Sequence, residues 1–185
     1  MTAANQLTIL RMAFVPVFVL LVVYKYFGGA LATFLLAGAT DVLDGVIARK
    51  YGQQTPLGTF LDPIADKLLL ISSFVLLSLN TLELTLQLPL WLTITVIGRD
   101  ILLIVSVVVI NLTKGRKLFP PSILGKATTA FQLMTVFVVL VINYLNLEIP
   151  IVIILFYATF GFTLSSGLHY LVRGMKIFEY NHDEV

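Results

Sequence analysis

The chain has 185 residues, of which 58% are hydrophobic and only 12% are charged, and its mean hydropathy is +0.98. These values exclude an ordinary soluble protein and predict a polytopic membrane protein. The absence of cysteine excludes disulfides and cysteine catalysis. The net charge of +2 is modest, and no nucleic-acid partner is expected.

Six segments are long enough to cross a bilayer as helices, which predicts an all-α fold with almost no residues left for a soluble domain. In chain order they cover about 8–26, 31–50, 57–80, 90–113, 122–145 and 149–172. We expect a single domain over 1–185, with 1–12 as a short interfacial start and 179–185 as a solvated tail. An ordinary helix start explains 1–12 equally well. The first segment is expected to be retained rather than cleaved, because the next one needs a packing neighbour.

The distribution of lysine and arginine predicts the orientation. With both termini in the cytoplasm, the outer side holds only Lys25. The inner loops and helix ends then hold Arg11, Arg49, Lys50, Lys114, Arg116, Lys117, Lys126, Arg173 and Lys176. This bias predicts an integral protein of a bacterial cytoplasmic membrane or an organelle inner membrane, with its site facing the cytoplasm.

Four aspartates lie inside the second and third segments, in the pattern Asp41-x2-Asp44-Gly45-x2-Ala48-Arg49-x8-Gly58-x3-Asp62-x3-Asp66. Carboxylates within membrane segments are costly, so a cluster of four is expected to be functional. The first two are three residues apart and the last two are four apart, which places each pair on one helix face. Turn-forming residues at 52–56 predict two antiparallel helices, on which the four carboxylates converge ~10–20 Å from the turn at ~1.5 Å per residue.

Four carboxylates this close need a cation among them. Hard oxygen ligands without cysteine or a nearby histidine favour Mg²⁺ or Mn²⁺ over zinc. Buried salt bridges to Lys67, Arg49 and Arg99 are an alternative, although the acids outnumber these bases. A cation transporter is an alternative of another class. Its path should continue across the bilayer, whereas the outer half offers only Glu83 and Glu148 near loops.

Polar residues recur in the later segments. The fourth contains Gly98-Arg99-Asp100, and the fifth contains Gly125-Lys126-Ala127-Thr128-Thr129 and Gln132. Arg99 and Asp100 could neutralise each other. Otherwise Arg99 and Lys126 form a basic wall that suits the phosphate of an acceptor, and Arg173 of the last segment would extend it. His169, one turn before Arg173, is more typical of a packing or interface residue.

The pattern from Asp41 to Asp66 resembles in full the D-x2-D-G-x2-A-R-x8-G-x3-D-x3-D signature of the CDP-alcohol phosphatidyltransferases. Further segments are similar to the branch that makes phosphatidylglycerophosphate or cardiolipin: Asn5-x-Leu7-Thr8-x2-Arg11, Leu61-Asp62-Pro63-x-Ala65-Asp66-Lys67 and Gly125-Lys126-x2-Thr129. The resemblance covers nearly the whole chain. It implies a six-helix membrane fold, usually dimeric, whose polar cavity opens to the cytoplasm and is reached by lipid from the side.

The resemblance also implies the roles of the motif residues. Asp41, Asp44 and Asp62 would bind two divalent ions, Mg²⁺ or Mn²⁺, and Asp66 would share an ion or serve as the base. Another set would hold the CDP moiety, namely Gly45, Ala48, Arg49 and Gly58, with the arginine on the phosphates. The implied reaction transfers a phosphatidyl group from CDP-diacylglycerol to a glycerol-type acceptor and releases CMP.

Two acceptors stay open. Glycerol 3-phosphate is the first expectation by family prevalence and because Arg99, Lys126 and Arg173 could bind its phosphate. However, Arg99-Asp100 and Lys126-x2-Thr129-x2-Gln132 are more similar to cardiolipin synthases of the eukaryotic type, which use phosphatidylglycerol. Enzymes that use glycerol 3-phosphate commonly have Arg-Glu at the position of Arg99-Asp100.

Overall fold

The computed structural model describes the backbone of residues 3–51, 56–114 and 122–179, and the side chains of 9–41, 43, 64–65, 67–106, 108–109 and 122–172. Within those residues all regular structure is helical, which confirms the predicted all-α class. The helices are α1 (Ala3–Val23), α2 (Phe27–Tyr51), α3 (Pro56–Leu77), α4 (Leu90–Lys114), α5 (Ile123–Leu145) and α6 (Val152–Glu179), and a 3₁₀ turn covers Asn80–Leu82.

The helices differ from the predicted segments mainly at their ends. α1 is continuous from Ala3 through Pro16, so the predicted interfacial start and the first predicted crossing belong to one helix. α2 begins at Phe27 rather than at 31, because a tight turn ends α1 close by. α6 extends to Glu179, past the apolar segment on which the prediction of 172 rested.

Left-handed residues shape three of the connections. Lys25 has a φ of 58°, and beside it the N–H of Tyr26 donates to the carbonyl of Leu21 over 2.8 Å. This six-to-one bond around a left-handed residue is a Schellman motif, which ends a helix abruptly. Asn146, with a φ of 50°, ends α5 in the same way, and Glu83, with a φ of 47°, follows the 3₁₀ turn.

All six helices contain 21–28 residues, and ~20 are enough to cross a bilayer. In the described part of the chain, Ile123–Leu145 and Val152–Val172 also have the composition of a membrane span. The other helices carry charged residues such as Asp41 and Arg99 or reach beyond the described side chains. The number of crossings and the cytoplasmic termini therefore stay predictions.

The chain divides into two compact units, and the first comprises residues 1–88 and 136–149. In this unit α1 packs against both α2 and α3. The fully buried side chains include Phe18, Val22, Phe74 and Leu77. The ring of Phe18 lies 6.3 Å from that of Phe34, between α1 and α2. The two helices that carry the acidic motif thus share α1 as a packing partner.

The second unit comprises residues 89–135 and 150–185, and in it α4 packs against α6. Trp91 of α4 stacks on Tyr157 of α6 with ring centroids 5.6 Å apart. The contact between α5 and α6 contains fully buried hydroxyl groups, and those of Thr135 and Thr159 lie 2.7 Å apart. Small polar residues that bond across helices are typical of membrane proteins. The single domain over 1–185 stays a prediction.

Candidate active site

The acidic motif lies on α2 and α3, as the sequence predicted. The first acidic pair belongs to α2 (Phe27–Tyr51) and the second to α3 (Pro56–Leu77), whereas the predicted turn between them lies at 52–55, outside the described residues, and stays a prediction. Since both segments are helical, the aspartates at 41 and 44 share one face of α2, and those at 62 and 66 share one face of α3.

Most of the motif side chains lie outside the described residues. These residues, whose backbone belongs to α2 or α3, are Asp44, Gly45, Ala48, Arg49, Gly58, Asp62 and Asp66. Among the side chains that are described, no group of three or more histidines and acids is placed to hold a metal ion. The convergence of the four carboxylates and the contacts to CDP therefore stay predictions.

Asp41 is the motif carboxylate whose surroundings the structure describes. Its Oδ1 lies 3.0 Å from Nη1 of Arg11, which comes from α1. The arginine side chain is only 1% exposed, whereas that of the aspartate is 49% exposed. A charge-assisted bond of this kind fixes the orientation of both groups. Arg11 thus holds one oxygen of a carboxylate that remains accessible.

The sequence did not predict this pair. It assigned Arg11 to the inner helix ends and considered Lys67, Arg49 and Arg99 as partners of the aspartates. A signal for burial was present, because Arg11 is followed by the apolar run 12–23 within one helix. A charge flanked by membrane sequence usually faces the interior and has a partner.

Arg99 and Asp100 form a second ion pair, on α4. Nη1 of Arg99 lies 2.9 Å from Oδ1 of Asp100, and Nη2 donates to the hydroxyl of Ser166 on α6 over 2.8 Å. Both charged side chains are buried, and mutual neutralisation was one of the two predicted alternatives. Within the described part of the chain, the buried Nε of Arg99 has no hydrogen-bond acceptor. A guanidinium has five N–H donors, so the pair leaves Arg99 able to bind a further acceptor atom.

Tyr170 connects Arg99 to the beginning of α5. The guanidinium carbon of Arg99 lies 5.8 Å from the centroid of the Tyr170 ring, within cation–π range. The hydroxyl of Tyr170 accepts a bond from the N–H of Ser122 over 3.1 Å. A Cβ at Gly125 would lie 3.0 Å from that hydroxyl, so a larger residue there would require the tyrosine to shift. Sequence reasoning missed Tyr170 and Ser166, because it followed charged residues.

The remaining residues predicted to bind the acceptor are less closely described. Lys126 is exposed on α5. Arg173 belongs to α6, but its side chain lies outside the described residues. His169 is exposed, and its ring lies edge-on to Tyr170 with centroids 6.2 Å apart, a packing contact of the kind the sequence favoured. The basic wall therefore stays a prediction, in which Arg99 is the buried member.

A family model described as CDP-alcohol phosphatidyltransferase matches residues 1–165. A cardiolipin synthase (CMP-forming) of Streptomyces coelicolor is 38% identical over 152 residues, which cover 77% of this chain and 66% of the relative. A CDP-diacylglycerol--glycerol-3-phosphate 3-phosphatidyltransferase of Pseudomonas fluorescens is 42% identical over 104 residues, 55% of this chain and 52% of the relative. A probable phosphatidylglycerophosphate synthase of Mycobacterium tuberculosis is 34% identical over 182 residues, 94% of this chain and 81% of the relative.

Proposed function

Because the chain belongs to the CDP-alcohol phosphatidyltransferase family, we propose that it transfers a phosphatidyl group from CDP-diacylglycerol to a glycerol-type acceptor and releases CMP. The observation that carries the proposal is the complete acidic motif on α2 and α3, inside a family match over residues 1–165. The family resemblance of the sequence is confirmed. This family is membrane-embedded and generally depends on divalent metal ions.

The donor set fits small divalent cations. It consists of four carboxylates on two helices, and neither histidine of the chain lies between 41 and 66. A carboxylate has two oxygens with about four lone-pair sites, so Asp41 accepts a bond from Arg11 and still offers an oxygen to a cation. We assign two ions, Mg²⁺ or Mn²⁺, to Asp41, Asp44 and Asp62, with Asp66 sharing one. Bound ions would neutralise the pyrophosphate of CDP-diacylglycerol and the departing CMP.

The residues of the chain carry the remaining steps. Asp66 takes the proton from the acceptor hydroxyl. The hydroxyl oxygen attacks the lipid-bearing phosphorus in line, and the new P–O bond forms as the bond to CMP breaks. The products are a phosphodiester lipid and CMP, without a covalent enzyme intermediate. Arg49 binds the phosphates of CDP, and the small residues Gly45, Ala48 and Gly58 leave room for the nucleotide.

Glycerol 3-phosphate is the acceptor that we propose first. Its phosphate suits the basic wall, and the buried Nε of Arg99, which finds no acceptor in the described part, supports an anion there. Phosphatidylglycerol is the second candidate. Asp100 beside Arg99 favours it, because the Arg-Asp pair is similar to that of eukaryotic-type cardiolipin synthases. The relatives carry names of both kinds.

The test is an assay of the purified protein in liposomes with CDP-diacylglycerol and Mg²⁺ or Mn²⁺. Glycerol 3-phosphate and phosphatidylglycerol are offered separately, and CMP and the lipid product are measured. Product with only one acceptor identifies the enzyme as a phosphatidylglycerophosphate synthase or a cardiolipin synthase. Activity should disappear with EDTA and return with the metal. The proposal is wrong if neither acceptor releases CMP while the protein remains monodisperse.

We further propose a homodimer whose active site faces the cytoplasm. The charge bias supports this orientation, and the family resemblance supports the dimer. Because the chain has no cysteine, single cysteines introduced at Lys25 and Lys126 can be labelled without background. A membrane-impermeant maleimide added to intact cells should label only the first. Light scattering of the detergent-solubilised protein measures the oligomeric state.

A further inference from the structure

A pocket of about 370 Å³ lies in the first unit, at the end of α2 remote from the acidic motif. Residues of the turn between α1 and α2, of the connection after α3 and of the end of α5 line it, and it is open to the surface. Small-molecule sites typically measure ~300–1,000 Å³. Phe27 lines this pocket, and Asp41 lies fourteen residues further along the same helix, or ~21 Å at ~1.5 Å per residue. The pocket is therefore separate from the motif.

One positive and one negative side chain line the pocket. Nζ of Lys25 lies 3.2 Å from Oε2 of Glu83, and these side chains are 48% and 84% exposed. An ion pair this exposed contributes little to folding, because water solvates both groups nearly as well. The two charges can therefore separate at small cost and turn to a ligand. Their sum is zero.

The polar frame of the pocket is fixed. The side-chain amide of Asn143, which is buried, binds both the N–H and the carbonyl of Leu86, over 3.2 and 2.8 Å. The hydroxyl of Thr85 donates to Oδ1 of Asn146 over 3.2 Å. These bonds tie the connection after α3 to the end of α5. Asn146 retains its amide nitrogen as a donor at the pocket wall.

Two tyrosines line the pocket, and a third lies close by in the chain. The ring of Tyr144 lies so close to α2 that a Cβ at Gly28 would approach its Cε2 to 2.7 Å. Tyr26 and Tyr144 line the pocket and are 66% and 53% exposed, and the neighbouring Tyr24 is 79% exposed. Tyrosines at the ends of membrane helices typically lie at the headgroup level of the bilayer. Their ring faces also attract ammonium groups.

From the cavity, its two opposite charges and the exposed rings, we propose that this pocket binds a phospholipid headgroup that carries both a phosphate and an ammonium, as in phosphatidylethanolamine. Lys25 and the amide of Asn146 bind the phosphate. Glu83 and the faces of Tyr26 and Tyr144 bind the ammonium. A pocket of zero net charge suits a ligand whose own charges cancel, whereas an anionic headgroup would face the Glu83 carboxylate. The exposed tyrosines favour a lipid over a soluble ligand.

The test is native mass spectrometry of the full-length protein in detergent, titrated with phosphatidylethanolamine or phosphatidylglycerol. The wild type should bind the first lipid more tightly. Lys25→Gln and Glu83→Gln should each weaken its binding about two- to fivefold, the size expected for one exposed charge contact. Glu148→Gln is the matched control, since Glu148 is an exposed glutamate that does not line the pocket. It should bind like the wild type.

Three outcomes would overturn the proposal. They are equal affinity of the wild type for the two lipids, equal binding by Glu83→Gln and Glu148→Gln, and binding of soluble phosphoethanolamine without binding of the lipid. Displacement of the lipid by millimolar phosphoethanolamine but not by inorganic phosphate supports recognition of both charges. CMP release by Glu83→Gln should equal that of the wild type, which separates this proposal from the phosphatidyltransferase reaction.

Discussion

Arg11–Asp41 in the first unit and Arg99–Asp100 in the second are ion pairs of nearly the same length, 3.0 and 2.9 Å. Both arginines are buried. The acids differ, because the side chain of Asp41 is 49% exposed and that of Asp100 is 2% exposed. The accessibility of the carboxylate, rather than the length of the ion pair, therefore distinguishes the two sites.

The origin of each pair explains this difference. Arg11 and Asp41 come from two helices, so the pair orients a half-exposed carboxylate of α2 that a cation can reach. Arg99 and Asp100 are neighbours on α4, and Ser166 of α6 occupies a further donor of the arginine. The first pair leaves a carboxylate accessible, whereas the second fixes the position of a buried guanidinium. We expect substitutions to affect catalysis in the first unit and stability or acceptor binding in the second.

The largest effect should come from the acidic motif. Asp44→Asn removes a proposed metal ligand, and we expect turnover to fall by about 10²–10³-fold or more, as when a central electrostatic contact to the transition state is lost. CMP release measures this effect. Retained activity would remove Asp44 from the site and would weaken the expectation that substitutions in the first unit affect catalysis.

The Arg99–Asp100 pair should contribute more to the stability of the fold than the Arg11–Asp41 pair. Asp100→Ala leaves the buried Arg99 without its carboxylate, and losing one partner of a buried pair costs about 3–5 kcal/mol. Asp41→Ala should cost less, because the Asp41 carboxylate is half exposed and water can take its place beside the buried Arg11. Thermal melting in detergent, followed by size-exclusion chromatography, compares the two variants. Equal losses of stability in the two variants would show that the exposure of the aspartate does not determine what its ion pair contributes.

The acceptor side can be tested through Arg99. Arg99→Ala should raise the KM for the acceptor more than that for CDP-diacylglycerol, by about tenfold if one charge-assisted bond is lost. Ser166→Ala is the control, because it removes a neutral partner of Arg99 and leaves the charge. The reverse pattern of KM values would place Arg99 on the nucleotide.

The smallest effect should come from Tyr170→Phe. This change removes the hydroxyl that accepts the N–H of Ser122 but keeps the ring beside Arg99. We expect a loss of about 0.5–1.5 kcal/mol in stability, the typical net contribution of one hydrogen bond. The same melting assay detects it. A large loss of turnover instead would give Tyr170 a role in the reaction itself.

The sequence predicted the helices and the family well, because both depend on local patterns. Long apolar runs define α5 and α6, and the fixed spacing from Asp41 to Asp66 is sufficient for the family. It did not predict the partner of Asp41, because Arg11 lies thirty residues earlier and the charge distribution assigned it only to the inner helix ends. Nor did it predict the pocket beside Lys25, because the residues that line this pocket come from three segments far apart in the chain.

The buried hydroxyls between α5 and α6 bear on how the chain enters a bilayer. Thr128, Thr135 and Thr163 each donate to a carbonyl one turn earlier in their own helix, over 2.7–2.8 Å. Each helix can thus leave the translocon with these hydroxyl protons already bonded. Once the helices meet, the hydroxyls of Thr135 and Thr159 form a hydrogen bond across the contact. The helices can therefore insert first and pack together afterwards, and the hydroxyl donors of these three threonines are hydrogen-bonded at both stages.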